Sequence, residues 1–161
     1  MNNLVRWLYL DYDGVLHPDA VYLDRRGEPE LRVEGARLFM HEARLVEALK
    51  PYPDVKIILS TTWAVRLGLE RAKGYLSPAL ADRVIGQSGP KRMKHLMPRA
   101  REVQHHVREN LPDQWLVIDD DPYDWDADSL SRLVLCDGEL GLGDDRSLAE
   151  LKEKLAWTFG S

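Results

Sequence analysis

Asp11 and Asp13 stand with one residue between them, directly after the apolar run Trp7-Leu-Tyr-Leu10, and Gly14 follows them. Two carboxylates this close repel each other and resist desolvation, so a folded chain keeps them together only with compensation, usually a cation. A second acidic cluster, Asp119, Asp120 and Asp121 with Asp124 close behind, follows the apolar run Trp115-Leu-Val-Ile118. Each run has the length and content of a buried strand. In open α/β sheets ligands bind beyond the carboxyl ends of the strands. If these two strands are neighbours in a parallel sheet, at least three carboxylates surround one point there. Such an all-oxygen donor set suits magnesium, which is held by one or two carboxylates together with water and substrate phosphate. Taken alone, Asp-x-Asp-Gly is equally the punctuation of an ordinary turn.

A third strand, Val55 to Leu59, ends in Ser60-Thr61-Thr62. Hydroxyl and N–H groups at such a turn can hold phosphate oxygens, or simply cap the helix that begins near Trp63. Arg99 opens a further predicted helix leading into the second aspartate strand. It reads either as a solvated arginine or as the cation of a phosphate site, and Lys91, Lys94 and Arg101 lie close enough in sequence to take that place.

The elements that must position these residues alternate strand and helix, which predicts a parallel sheet with helices on both faces. Residues 22–33 read as a short hairpin, 34–50 as an amphipathic helix stopped by Pro51-Tyr-Pro53, and 63–76 as the next helix. Ser77-Pro78 opens a short helix, Val84-Ile85 a brief strand, and the Arg99 helix runs to about Asn110. Leu133 to Cys136 is strand-like, and the capping box Ser147-Leu-Ala-Glu150 opens a last helix reaching about Trp157. No repeat or linker interrupts residues 1–161, which are expected to form one domain.

In chain order these pieces resemble the haloacid dehalogenase (HAD) superfamily of phosphohydrolases: Asp11/Asp13/Gly14, then Ser60, then Arg99, then Asp119/Asp120. Leu-Ser60-Thr-Thr-Trp63, Arg99-Ala-Arg-Glu102-Val and Ile-Asp-Asp-Asp121 are similar to the small HAD domains associated with RNA-repair proteins. The resemblance implies a three-layer Rossmann-like fold and a magnesium-dependent phosphatase that works through an aspartyl-phosphate. Asp11 would be the nucleophile, and Asp13 the acid that protonates the leaving oxygen and the base that then activates water. Asp11, Asp120 and the main-chain carbonyl of Asp13 would hold the metal, with Asp119 in support and Asp124 joining through water. Ser60, Thr61 and Arg99 would hold phosphoryl oxygens.

Only about 45 residues separate Gly14 from Ser60, and a crossover helix uses many of them, so the cap is expected to be minimal or missing. An open site admits phosphates on macromolecules, which favours nucleic-acid 3′ or 5′ ends as substrate over a small sugar phosphate. Three other readings share some of these residues. A phosphate-receiver domain would need its acid on the middle strand, where Ser-Thr-Thr stands instead. A metal-dependent nuclease would not need Gly14 or the hydroxyl strand. A non-catalytic binding or scaffold protein would have no reason to crowd these acids.

The net charge of −5 argues against a general nucleic-acid coat. Yet residues 83–108 hold seven Lys/Arg against the single acid Glu102, while 109–161 hold four against fourteen acids. The basic segment could steer a polyanion, or be a solvated face. The lone Cys136 allows no internal disulfide and fits a reducing compartment, buried in its strand rather than reactive. His105 and His106 are adjacent and do not form a zinc pattern. No apolar run spans a membrane and Met1 to Arg6 lacks the regions of a signal peptide, so a cytoplasmic location is expected.

Overall fold

The computed structural model describes residues 3–160; Met1, Asn2 and Ser161 lie outside the described residues. The chain enters through β1 (Arg6–Leu10), forms a hairpin from β2 (Val21–Leu23) and β3 (Pro29–Leu31), and crosses through α1 (Glu42–Leu49) to β4 (Lys56–Leu59). Three short helices, α2 (Thr62–Leu67), α3 (Leu69–Lys73) and α4 (Pro78–Ala81), lead to β5 (Val84–Gln87). Then come α5 (Arg99–Asn110), β6 (Gln114–Asp119), α6 (Ala127–Leu130), β7 (Leu133–Leu135) and α7 (Asp145–Phe159).

The five longer-range strands form one parallel sheet in the order β5-β4-β1-β6-β7. Alternation along each strand sends Leu8, Leu10, Ile57, Leu59, Leu116 and Ile118 into a core beneath α1, α2 and α7. The opposite face, with Tyr9, Ile58, Trp115 and Val117, packs against Ala100 and Val103 of α5. Both faces are covered, which makes this a three-layer α/β fold of the Rossmann-like kind. The Tyr9 hydroxyl meets Nδ1 of His106 at 2.8 Å, so that histidine braces α5 against the sheet.

Register is what matters for the site. Leu10 pairs with Leu59 on one side and Ile118 on the other. The residues that follow, Asp11, Ser60 and Asp119, therefore leave three adjacent strands at one level.

The sequence reading needs correction in three places. The helix expected over 34–50 begins only at Glu42. Gly35 and Phe39 both take positive φ (78° and 60°), and the Phe39 and His41 N–H groups bond to His17 Nδ1 and Leu16 O rather than to helical partners. That stretch instead closes over the first aspartate loop. The helix expected over 63–76 breaks at Gly68, φ +90°, into α2 and α3. The last helix starts earlier than its capping box implies: Asp144 is the N-cap and accepts from Arg146 N–H, while the Ser147 hydroxyl bonds the same carboxylate. Cys136 is buried as expected, and burial pushes its thiol up to about 12, which leaves it inert. No helix among the described residues is long and apolar enough to cross a membrane.

Candidate active site

Asp11, Asp119 and Asp120 each offer a carboxylate oxygen within 4.8 Å of the others. Asp11 leaves β1 with its carboxylate taking the Tyr12 N–H at 2.8 Å. Asp119 is 1% exposed and accepts the Asp121 N–H at 3.0 Å. Asp120 lies against the backbone of two glycines. A Cβ on Gly14, which also has φ +77°, would collide with the Asp120 carboxylate, and one on Gly138 would stand 3.0 Å from its Oδ2. The glycine after Asp13 is thus required twice, once by its turn and once by the neighbour it admits.

Arg99 supplies the positive charge. Its guanidinium reaches Asp11 at 3.2 Å, Asp119 at 3.3 Å and the buried Glu102 at 3.5 Å. Pro98 immediately precedes α5, so Arg99 is the first helical residue and points back over the strand ends. Lys91, Lys94 and Arg101, the other candidates for this position, are exposed. Burial works against the Arg99 charge, but Asp11, Asp119 and Glu102 outweigh it and hold its pKa above the ordinary range. Replacing Arg99 by alanine strands these acids without a counter-charge. At pH 8 the variant should be less stable by about 3–5 kcal/mol, read as a lower guanidinium midpoint, and the deficit should shrink at acid pH.

Ser60 is fully buried; its N–H bonds Leu10 O and its hydroxyl lies 3.1 Å from that of Ser88. Thr61 behaves differently. Its hydroxyl is the N-cap of α2, accepting the Trp63 N–H at 3.2 Å, so the capping role expected as the simpler reading is the one its side chain takes.

Asp13 stands apart from the other carboxylates. Its Oδ1 meets Nε2 of His17 at 2.8 Å and the Trp63 indole N–H at 2.9 Å. The His17 ring is fully buried and its Nδ1 accepts the Phe39 N–H, so the ring proton sits on Nε2 and is donated to Asp13. Tyr12, Phe39, Trp63 and Tyr75 pack edge-to-face around this pair. The left-handed backbone of Phe39 is held by that packing. Both donors were missed in the sequence. His17 four residues after Asp13 was a possible signal, but Trp63 is brought in only by β4 and α2. Asp19 was missed too: it lies close enough to Gly138 that a Cβ there would strike it, and its charge acts on Asp120. Asp124 sits in an exposed turn at φ +65°, outside the carboxylate group.

The sequence model of the family described as "HAD domain in Swiss Army Knife RNA repair proteins" matches residues 7–146. The chain belongs to this family. No curated protein matches it. Membership carries a HAD-like fold and, at the level of the superfamily, a hydrolase-type site.

HAD proteins typically use magnesium, and the donor set here fits it. Asp11, Asp119 and Asp120 gather three carboxylates beside the single Arg99 guanidinium, which already serves Glu102, so the oxygen donors outnumber the cation available to them, as a divalent ion requires. Burial, with Asp119 and Asp13 adding to it, pushes Asp11 well above the carboxylate range despite Arg99. Burial likewise lifts Asp119 to about 7, against Arg99, and Asp120 to about 7, aided by Asp11. Between the ordinary carboxylate pKa and about 7, this HAD domain therefore binds protons that the unfolded chain releases. Stability in EDTA should fall as pH rises through that window. We expect melting at pH 8 to lie roughly 5–10 °C below that at pH 5, and magnesium to close the gap. Circular dichroism melts with an Asp120→Asn control check it: a gap unchanged in the variant would place its origin elsewhere.

Proposed function

We propose that this HAD domain is a magnesium-dependent phosphatase that hydrolyses phosphate monoesters, including those at nucleic-acid ends, through an aspartyl-phosphate on Asp11. One observation carries the reading: two aspartates two residues apart stand in opposite environments. Asp11 faces a cation and other carboxylates, and Asp13 is turned away onto two N–H donors. Carboxylates separated in this way take separate roles.

Asp11 is the nucleophile; its oxygen bonds to phosphorus as the ester oxygen departs. Asp13 has Oδ1 committed to His17 and Trp63, so Oδ2 is the oxygen left free to exchange a proton. It delivers that proton to the leaving oxygen and later takes one from the water that attacks the phospho-aspartate. Arg99, already 3.2 Å from Asp11, meets the phosphoryl oxygens there, and the Ser60 hydroxyl supports them. A magnesium ion held by Asp11 and Asp120, with Asp119 beside them and the Asp13 carbonyl as a further oxygen donor, would neutralise phosphoryl charge. Between Asp13 and β4 the chain offers only the hairpin, the turns before α1 and α1 itself, too little for a separate cap domain, which favours a large substrate. Exposed Lys91, Arg92 and Lys94 border α5 and favour a polyanion. The family's association with RNA repair supports nucleic-acid ends.

The test is phosphate release from p-nitrophenyl phosphate and from 3′- and 5′-phosphorylated oligonucleotides, with magnesium and with EDTA. Turnover that requires magnesium is expected; equal rates in EDTA, or none on any phosphomonoester, would overturn the reading.

A further inference from the structure

The hairpin and α2 enclose a cavity of about 290 Å³, with Asp13 in its lining. Val21, Tyr22, Leu23 and Pro29 form one wall, and Thr62, Trp63, Arg66 and Leu67 the other. Asp11, Asp119 and Asp120 do not line it. It therefore borders Asp13 and not the cluster of three carboxylates, a position suited to the group from which the phosphate is removed. Its volume is close to the lower bound of small-molecule pockets (~300 Å³), which suits one flat group rather than a protein surface.

The wall chemistry says what kind of group. Tyr22 is half exposed, and the Arg32 guanidinium lies over its ring at 4.5 Å, a stacked pair on which a further flat ring can build. Arg66 is exposed and has no hydrogen-bond or ion-pair partner among the described residues. A free guanidinium in a half-apolar wall fits an anion carried by the same ligand. Arg25 and Arg26, exposed at the hairpin tip just beyond Leu23, extend the positive edge. The wall is also held in place: Glu28 of the hairpin bonds the Arg71 guanidinium of α3 and the Tyr75 hydroxyl at 2.8 Å. Those two bonds draw the Glu28 carboxyl below its usual range.

We propose that this cavity binds the terminal nucleoside of a phosphorylated nucleic-acid strand. The base lies against Tyr22 and the next phosphodiester meets Arg66. The proposal rests on the phosphatase reading of Asp11 and Asp13 and adds the residues that select the leaving group. An aromatic ring joined to an anion one residue away is the repeating chemistry of a polynucleotide. A phosphotyrosine peptide supplies the ring but places no fixed anion beside it, so nucleic acid is the favoured occupant.

The experiment compares kcat/KM for 3′- and 5′-phosphorylated dinucleotides, a nucleoside monophosphate, glycerol phosphate and a phosphotyrosine peptide in the wild type, Tyr22→Ala and Arg66→Ala. The wild type should prefer a dinucleotide to glycerol phosphate. Tyr22→Ala should reduce that preference roughly tenfold, the loss of one base–aromatic stack. Arg66→Ala should weaken the dinucleotide but not the nucleoside monophosphate, and lower the salt slope of dinucleotide kcat/KM by about one. Equal losses on every substrate, or a peptide preferred over both dinucleotides, would overturn the subsite. Fluorescence titration of a labelled 3′-phosphorylated dinucleotide separates the two readings. Tight, Tyr22-dependent binding without turnover would sustain the subsite and sink the phosphatase; turnover with binding indifferent to Tyr22 and Arg66 would do the reverse.

Discussion

Asp11→Asn should lower phosphate release by at least about 10³-fold, since a nucleophile that forms the covalent intermediate has no substitute in the site. The amide matches the carboxylate in size and can still take the Tyr12 N–H on its oxygen, so the fold has no steric reason to fail. It also removes one of the carboxylates that burial and mutual repulsion push upward. In EDTA at pH 8 the variant should therefore melt at or above the wild-type temperature, the reverse of what a damaged core gives. Activity and melting measured on one preparation decide the matter. Retained turnover would end the aspartyl-phosphate mechanism, and lost turnover with a lower melting temperature would point to structural damage instead.

The second large effect belongs to Asp13. Asp13→Asn keeps an oxygen for the His17 and Trp63 donors but can neither deliver nor accept the proton, and about 10²–10⁴-fold should be lost on substrates with an alkoxide leaving group. With p-nitrophenyl phosphate the two steps should separate. Nitrophenolate leaves readily without an acid, whereas attack of water on phospho-Asp11 still needs the base. Rapid mixing should then show a burst of about one nitrophenolate per enzyme followed by slow turnover. A linear course at the wild-type rate would remove Asp13 from the chemistry. Trp63→Phe retains the aromatic packing and deletes one donor, so it should cost roughly tenfold in kcat, the value of one hydrogen bond to a charged group.

The Asp13 environment also explains the misread helix. Glu34 to Lys50 carries a helical pattern of apolar residues, and local preference alone favours a helix throughout. In the folded chain the Phe39 N–H is used to fix the His17 tautomer, and the His41 N–H satisfies Leu16 O. Contacts between residues some twenty positions apart outweigh local preference there, and the segment turns instead of coiling. Gly68 splits the next helix for a local reason, since its φ of +90° lies where a helix cannot continue.

The sequence by itself determined the buried strands and the residues that follow them, whereas the order and register that bring Asp11, Ser60 and Asp119 to one level came from the folded sheet. Apolar runs name buried strands, and the residue after each run is fixed by chain connectivity, so Asp11, Ser60 and Asp119 were legible before any fold was known. Arg99 was legible only as one of four cations. The tertiary structure decided among them, because Pro98 and the docking of α5 aim one side chain at the strand ends and leave the others in solvent. It decided too that Thr61 caps a helix, that His17 and Trp63 hold Asp13, and that Tyr22 and Arg66 line one cavity. Strand ends follow from periodicity along the chain. A side chain's partners follow from where distant segments pack, and no spacing in the sequence encodes that.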